Sequence, residues 1–171
     1  MASALSNLSA YDPEALGDAS DLRFGIVTAD WNAHITHKMH EACIDTLLKH
    51  GVREESLRIL QVPGAFELPA GARLLAARFD ADAIICIGCV IKGETSHNEY
   101  INQAVASGLT QLSIATGRPH IFGVLTPNDE RQALDRAGGR YGNKGVEAAA
   151  TAIRMARLRK EASGAKGKIG F

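Results

Sequence analysis

One stretch of the sequence has residue types that could bind an anion and move a proton. Residues 84–97 read IICIGCVIKGETSH, so an apolar run with two cysteines leads through glycines to His97. This order predicts a buried strand, a tight loop and a helix N-terminus. Backbone N–H groups at such a junction lack intrahelical partners and lie at the positive end of the helix dipole, which suits phosphate or another anion. His97 lies at the edge of this loop, where an imidazole that titrates near neutral pH could transfer protons.

The spacing G-x-x-x-x-G-E-T, which starts at Gly88, nearly matches the phosphate loop of nucleotide hydrolases. Glu94, however, stands where that loop needs a lysine, and a carboxylate cannot neutralise a phosphate. The pattern therefore favours an anion site but not a nucleoside triphosphate. We expect the missing positive charge to come from elsewhere in the fold, with Arg136 and Lys144 as candidates. The alternative is a turn that uses Gly93 only for its backbone freedom.

Two other patterns have the residue types of redox or metal sites. Cys86 and Cys89 form a C-x-x-C pair, but Cys86 lies inside the apolar strand, where burial raises the pKa of a thiol. We interpret both as small buried side chains, and the odd total of three cysteines favours reduced thiols. His34, His37 and His40 are spaced by three, which separates the outer pair by about 240° around a helix. They indicate a polar helix face, and no metal site is expected.

Composition limits the classes of partner. The 171 residues suffice for one domain with a substantial core, and the 19 basic and 19 acidic side chains cancel. This balance argues against a nucleic acid or an anionic membrane as partner, and no apolar run approaches the length of a membrane span. The first twenty residues contain no Lys or Arg and no apolar block, so we expect no secretory signal and a cytoplasmic location.

Alternating strands and helices must position these residues. We predict strands at 22–28, 57–62, 83–91 and 120–125, and helices at 33–50, 68–79, 97–116, from 130 to about 137, and 146–161. We expect a flexible N-terminal arm at 1–21, one domain at 22–161 and a flexible C-terminal tail at 162–171. The alternation predicts an α/β fold: a three-layer α/β/α sandwich with a four-stranded parallel sheet. Ligands of such sheets bind outside the carboxyl ends of the strands.

Three predicted loops meet at that edge of the sheet. Trp31 and Phe66 offer aromatic surface for a flat heterocycle, Glu67 can accept hydrogen bonds from a polyol, and the loop before His97 can hold an anion. Taken singly, either aromatic residue could belong to the core, and Glu67 could simply favour the N-terminus of its helix. Their convergence on one edge favours a binding site.

From about residue 24 to 160, the sequence resembles the lumazine synthase family of riboflavin biosynthesis. Five stretches carry the resemblance, in the order Trp31-Asn32, 63–69, 88–97, 122–126, and 135–138 with 142–145. The resemblance implies a flavodoxin-like fold and a transferase without metal, flavin or nicotinamide. Its reaction would condense 5-amino-6-(D-ribitylamino)uracil with 3,4-dihydroxy-2-butanone 4-phosphate to give 6,7-dimethyl-8-ribityllumazine, phosphate and water.

The resemblance also implies roles for the matched residues. Those around the pyrimidine and the ribityl chain would be Trp31, Asn32, Ala65, Phe66, Glu67, Cys89, Val90 and Ile91. Glu94 and Thr95 would hold the phosphate, with Arg136 supplying positive charge, and His97 would shuttle protons. The residues that would reach the pocket of an adjacent subunit are Phe122, Arg136 and Lys144.

The resemblance further implies homopentamers, which in some members build an icosahedral capsid, with riboflavin synthase as a candidate enclosed partner. Four alanines of the last helix suit close helix packing around a fivefold axis: Ala148, Ala149, Ala152 and Ala156. The short connection from Gly138 to Gly142 favours the capsid. Asn98, where the family often has an aromatic residue, departs from the pattern beside His97.

Two alternatives from other functional classes remain. A non-catalytic flavin- or lumazine-binding protein on the same scaffold would keep Trp31 and Phe66 but would not need His97, Arg136 and Lys144 together. A flavodoxin-like electron carrier needs a phosphate loop after the first strand, where residues 29–32 read ADWN without glycine or hydroxyl. The joint presence of the three polar residues favours the enzyme.

Overall fold

A four-stranded parallel sheet forms the centre of the protein in the computed structural model, which describes Asn7 and residues 9–165. The strands are β1 (Phe24–Ala29), β2 (Leu57–Val62), β3 (Ala83–Cys89) and β4 (His120–Leu125), in the spatial order β2-β1-β3-β4. Every residue of β1 and β3 is buried, which explains their almost uninterrupted apolar sequence.

Helices cover both faces of the sheet. They are α1 (Pro13–Leu16), α2 (Ala33–Lys49), α3 (Leu68–Arg78), α4 (His97–Thr116), α5 (Glu130–Asp135) and α6 (Lys144–Ala165). One core lies between the sheet and α2 with α6, and it includes Ile26 and Ile85. The other lies between the sheet and α3 with α4, and it includes Val27 and Cys86. Successive strand residues thus serve opposite cores, and the predicted α/β/α sandwich is confirmed.

The predicted bounds match β2, β4 and α4, and they differ where the chain turns. β1 runs from Phe24 to Ala29 rather than from 22 to 28, and β3 ends at Cys89 rather than 91. The predicted connection before the last helix contains an antiparallel pair, β5 (Ala137–Gly139) and β6 (Gly142–Asn143). α6 starts two residues earlier than predicted and extends beyond 161, to Ala165.

The alanines of α6 pack inside the chain. Ala148, Ala149, Ala152 and Ala156 are all buried in the core shared with α2. At Gly145 a side chain would run into the carbonyl group of Met39, so α2 and α6 approach each other closely. The prediction that these alanines surround a fivefold axis is therefore wrong, because their side chains are already buried in contacts within one protomer.

The segment before β1 is packed where the structure describes it. Asp12 caps α1 by accepting from the Glu14 and Ala15 N–H groups, and Leu16 and Ala19 are buried in the core. The packed part of the chain thus begins before residue 22, in contrast to the flexible arm predicted for 1–21. Of the two predicted flexible segments, residues 1–6, 8 and 166–171 lie outside the described residues, whereas 162–165 continue α6.

Within residues 9–165, no helix combines the length and the apolar character that crossing a membrane requires.

Candidate active site

Hydrogen bonds join the loops that follow β1, β2 and β3. The Asp30 N–H donates to the Val62 carbonyl at 2.9 Å, and the Trp31 N–H donates to the Pro63 carbonyl at 3.0 Å. Asn32 Nδ2 donates to the Cys89 carbonyl at 3.0 Å. The three loops are therefore held as one surface at the carboxyl ends of the strands.

Asn32 is the turning point of the first loop. Its backbone lies in the left-handed region, with φ 61° and ψ 43°, which asparagine tolerates better than most residues. Its carbonyl accepts from the Ile35 and Thr36 N–H groups and so starts α2. The turn places Trp31 at the surface, where the side chain is 73% exposed.

A groove of about 900 Å³ opens beside these loops. Its lining residues are Trp31, Asn32, Gly64, Ala65, Phe66, Glu67, Cys89, Val90, Ile91, Gly93, Thr95, His97, Asn98, Tyr100, Ile101 and Ala104. Ten of the fourteen predicted site residues are in this set. Of the described residues, Glu94, Phe122, Arg136 and Lys144 are predicted site residues that do not line the groove, although Glu94 lies in the loop between Gly93 and Thr95.

Three aromatic side chains border the groove and are open to solvent. Phe66 is 58% exposed and Tyr100 is 71% exposed, so with Trp31 they present unusually large apolar surfaces. The alternative that Trp31 or Phe66 is a core residue is therefore wrong. Tyr100 was not predicted as a site residue, although its position three residues after His97 on α4 places it on the same helix face.

Glu67 folds back over the second loop. Its Oε2 lies 3.1 Å from the point where a Cβ on Gly64 would be, so the glycine leaves room for the carboxylate. The side chain is half-buried in the groove wall and makes no capping hydrogen bond to α3. A carboxylate in this position can accept hydrogen bonds from hydroxyl groups of a ligand.

The third loop leads into α4, and its polar groups are exposed to solvent. Residues 92–97 are exposed, and Ser96, which precedes α4, makes no side-chain capping hydrogen bond. The first N–H groups of α4 are thus left without the side-chain partner that many helices have. Such N–H groups can bind an anion at the end of the groove that holds Thr95 and His97.

The two cations named from the sequence lie elsewhere in the chain and share one carboxylate. Arg136 Nη2 is 2.6 Å from Glu147 Oε1, and Lys144 Nζ is 2.8 Å from Glu147 Oε2. A second cavity, of about 370 Å³, is lined by Lys144, Glu147 and Phe122 among others. Glu147 was not predicted as a partner of these cations. Its position three residues after Lys144 could have indicated the pair, because side chains with this spacing meet on a helix.

The cysteines are buried, as predicted. Complete burial raises the pKa of the Cys43 and Cys86 thiols, and burial raises that of Cys89 to about 12. Cys86 and Cys89 belong to the cores on opposite faces of the sheet. The C-x-x-C pair therefore does not face a common partner.

The three histidines of α2 make separate contacts. His34 Nε2 is 2.6 Å from Glu130 Oε1, whereas His40 Nδ1 is 2.8 Å from the buried Thr28 hydroxyl. Burial, and to a smaller extent the neighbouring His37, lowers the pKa of His40. Across the described residues, His, Cys, Asp and Glu side chains form no group of three that could hold a metal ion.

Comparisons with known proteins agree on one family. A family described as 6,7-dimethyl-8-ribityllumazine synthase matches residues 21–160. A protein of that name from Parabacteroides distasonis is 50% identical over 155 residues, which cover 91% of this chain and 97% of the relative. Proteins of the same name from Porphyromonas gingivalis and Cytophaga hutchinsonii are 49% and 48% identical, over 92% and 91% of this chain and 98% and 97% of their own.

Proposed function

The chain belongs to the 6,7-dimethyl-8-ribityllumazine synthase family, and from this membership we propose that it is a transferase of riboflavin biosynthesis. It condenses 5-amino-6-(D-ribitylamino)uracil with 3,4-dihydroxy-2-butanone 4-phosphate. The products are 6,7-dimethyl-8-ribityllumazine, phosphate and water.

The observation that carries this proposal is the groove, which combines stacking surface, a hydroxyl acceptor and a proton-transfer group. Trp31 and Phe66 border it with exposed rings, Glu67 lies in its wall, and His97 lies at its α4 end. A flat pyrimidine can stack on the indole, while the ribityl hydroxyls reach the carboxylate. Backbone groups at Cys89 to Ile91 would meet the edge of the ring.

The phosphate of the four-carbon substrate would bind at the start of α4. The backbone N–H groups of Glu94 and Thr95 and the Thr95 hydroxyl can donate to its oxygens. His97 would then move protons while the amine adds to the ketone, phosphate leaves and the second ring closes. Holding the two reactants together supplies much of the acceleration, because orientation replaces a bimolecular encounter.

The positive charge for the phosphate would come from a neighbouring protomer. Within the described residues, Phe122, Arg136 and Lys144 lie outside the groove, and Phe122 and Lys144 line a separate cavity. We therefore propose a homo-oligomer in which these residues complete the groove of an adjacent chain. The exposed apolar side chains Ile114, at 79%, and Leu74, at 61%, offer surface that such contacts would cover.

Homopentamers, a capsid and an enclosed riboflavin synthase remain predictions from the resemblance, and a cytoplasmic location remains a prediction from the composition of the first twenty residues. Light scattering on the purified protein would separate a pentamer from a capsid, and a monomer would contradict the shared site. Because the alanines of α6 are buried in the protomer, they supply no argument for either assembly.

The direct test mixes both substrates with the protein and records the fluorescence of the lumazine product. We expect enzyme-dependent product formation together with release of one phosphate per product. A non-catalytic carrier would bind added lumazine but would leave the substrates unchanged. Binding without turnover would therefore replace the proposed activity by the carrier function.

A further inference from the structure

The described residues 9–17, here called the N-terminal strap, run across the chain from α2 to the β5–β6 hairpin. The strap is anchored at the C-terminal end of α2 by His50, which is buried. His50 Nδ1 donates to the Gly17 carbonyl at 2.8 Å, so Nε2 can accept from the Tyr11 hydroxyl at 3.0 Å. Leu16 is buried in the core beside this anchor.

The other end of the strap lies on the hairpin. The Asn143 N–H donates to Ser9 Oγ at 3.1 Å, and the Ser9 hydroxyl donates to Asn7 Oδ1 at 2.7 Å. Gly142 has φ +85°, and a side chain there would run into Asn7 Oδ1 and Ser9 Oγ. Glycine at this position thus permits both the turn and the close approach of the strap.

Asn143, which the strap contacts, is linked to two cations, to Lys144 directly and to Arg136 through Lys144. Asn143 precedes Lys144, whose N–H donates to the Arg136 carbonyl at 2.8 Å. Arg136 Nη1 donates to the Tyr141 carbonyl at 2.9 Å, within the same hairpin. A shift of Asn143 would therefore move the backbone of Lys144 and loosen the support of the Arg136 guanidinium.

The side chain of Asn143 is also occupied in holding this geometry. Its Oδ1 accepts from the Gly145 N–H at 2.8 Å and so caps α6, and its Nδ2 donates to the Lys38 carbonyl at 3.2 Å. Ser9 thus binds the one backbone N–H of Asn143, while the side chain links α6 and α2. All three contacts act on Asn143, the residue that directly precedes α6.

We propose that Ser9 is a positioning residue: through Asn143 it holds Arg136 and Lys144 in the geometry that binds the phosphate of the four-carbon substrate. This role rests on the proposed function. The strap would act on affinity for the anion without touching a ligand. Its effect is specific to one substrate, because no residue from 136 to 144 lines the groove beside Trp31 in the same protomer.

The test compares Ser9→Ala with Ser9→Thr, which keeps the hydroxyl, and with Ser20→Ala. Ser20 is a matched control because it is an exposed serine nearby, bonded to Asp18 at 2.6 Å rather than to the hairpin. In Ser9→Ala we expect the KM for the phosphate-bearing substrate to rise about three- to tenfold, which corresponds to the loss of one hydrogen bond. The KM for the diaminouracil, kcat and Tm should stay within error, and Ser9→Thr should restore the first KM.

A second readout does not depend on activity. Amide hydrogen exchange at residues 142–145 should be about three- to tenfold faster in Ser9→Ala than in the wild type and in Ser20→Ala. Tyr11→Phe, which releases the other anchor of the strap, should act in the same direction. Unchanged exchange in both variants would overturn the strap as a support of the hairpin.

Equal increases in both KM values with a lower Tm would also overturn the proposal, because they would show general destabilisation. If the wild-type protein made no lumazine at all, the proposed function would fail instead. Calorimetric titration with inorganic phosphate would then replace the KM comparison. An affinity unchanged between the wild type and Ser9→Ala would refute the positioning role separately.

Discussion

Asn32 donates a hydrogen bond from Nδ2 to the carbonyl oxygen of Cys89 across 3.0 Å, and this bond ties the loop after β1 to the end of β3. In the described part of the chain, Asn32 is also the one residue other than glycine with a positive φ. A single side chain thus fixes the relative position of the indole of Trp31 and the backbone groups at the floor of the groove.

Replacing Asn32 by alanine should lower the free energy of unfolding by about 1–3 kcal/mol, because alanine loses the bond to Cys89 and fits the left-handed region poorly. Urea denaturation measures the loss. Asn32→Gly is the control, since glycine accepts the backbone conformation but not the hydrogen bond. We expect it to be the more stable of the two variants, and an Asn32→Ala protein as stable as the wild type would contradict this account.

Removing the imidazole of His97 should lower kcat by about ten- to a thousandfold without abolishing turnover, because orientation of the two substrates persists. Steady-state kinetics with both substrates measures the effect. His34→Ala is the matched control, since His34 lies on α2 and pairs with Glu130. Complete loss of activity in a correctly assembled His97→Ala protein would refute the modest proton-transfer role, and so would an unchanged rate.

Arg136→Ala should raise the KM for the phosphate-bearing substrate about ten- to a hundredfold, since a charged hydrogen-bond donor to the phosphate is lost. Arg131→Ala offers the comparison, because Arg131 is an exposed arginine of α5, the helix that ends just before Arg136. Its KM should match that of the wild type. A silent Arg136 substitution would remove the basis for a phosphate site shared between protomers.

The buried thiol of Cys43 should make stability fall at alkaline pH. Burial raises its pKa above the ordinary value of 9.0, so between this value and the folded-state pKa only the unfolded chain releases the proton. The free energy of unfolding therefore decreases as pH rises above about 9, by up to about 1.4 kcal/mol per pH unit for one such thiol. Below pH 9 the contribution is complete.

Urea midpoints at pH 8, 9 and 10 test this dependence, with Cys43→Ala as the reference. The variant should show the shallower decline between pH 9 and 10, whatever its stability at pH 8. Parallel declines in the two proteins would contradict the assignment. Rapid reaction of the folded wild type with a thiol reagent at pH 8 would contradict the burial itself.

Much of the sheet and of α4 could be predicted because local pattern determined them. The apolar run at 83–89 has the length and β-branched content of a buried strand, and the stripe of Ile101, Val105 and Leu109 has helical spacing. The positions of Trp31 and Phe66 followed from their place after strands in an alternating α/β order. Their exposure did not follow, since residue type alone favours a core position for large aromatic side chains.

The remaining differences come from contacts between distant parts of the chain. Four alanines define a smooth face of α6, but spacing does not show whether that face meets α2 or another subunit. The polar composition of the N-terminal segment suggested a flexible arm, whereas Tyr11 bonds His50 and Ser9 bonds Asn143. Pairings across such separations leave no periodic signal.

The separation of the His97 groove from the Arg136–Lys144 cluster has a genetic consequence. If each protomer lends its cations to a neighbour, two impaired alleles, one lacking His97 and one lacking Arg136, would partly complement each other when their products co-assemble. Some contacts in the mixed oligomer would then combine an intact groove with intact cations, so the two genes expressed together would yield more vitamin precursor than either yields alone.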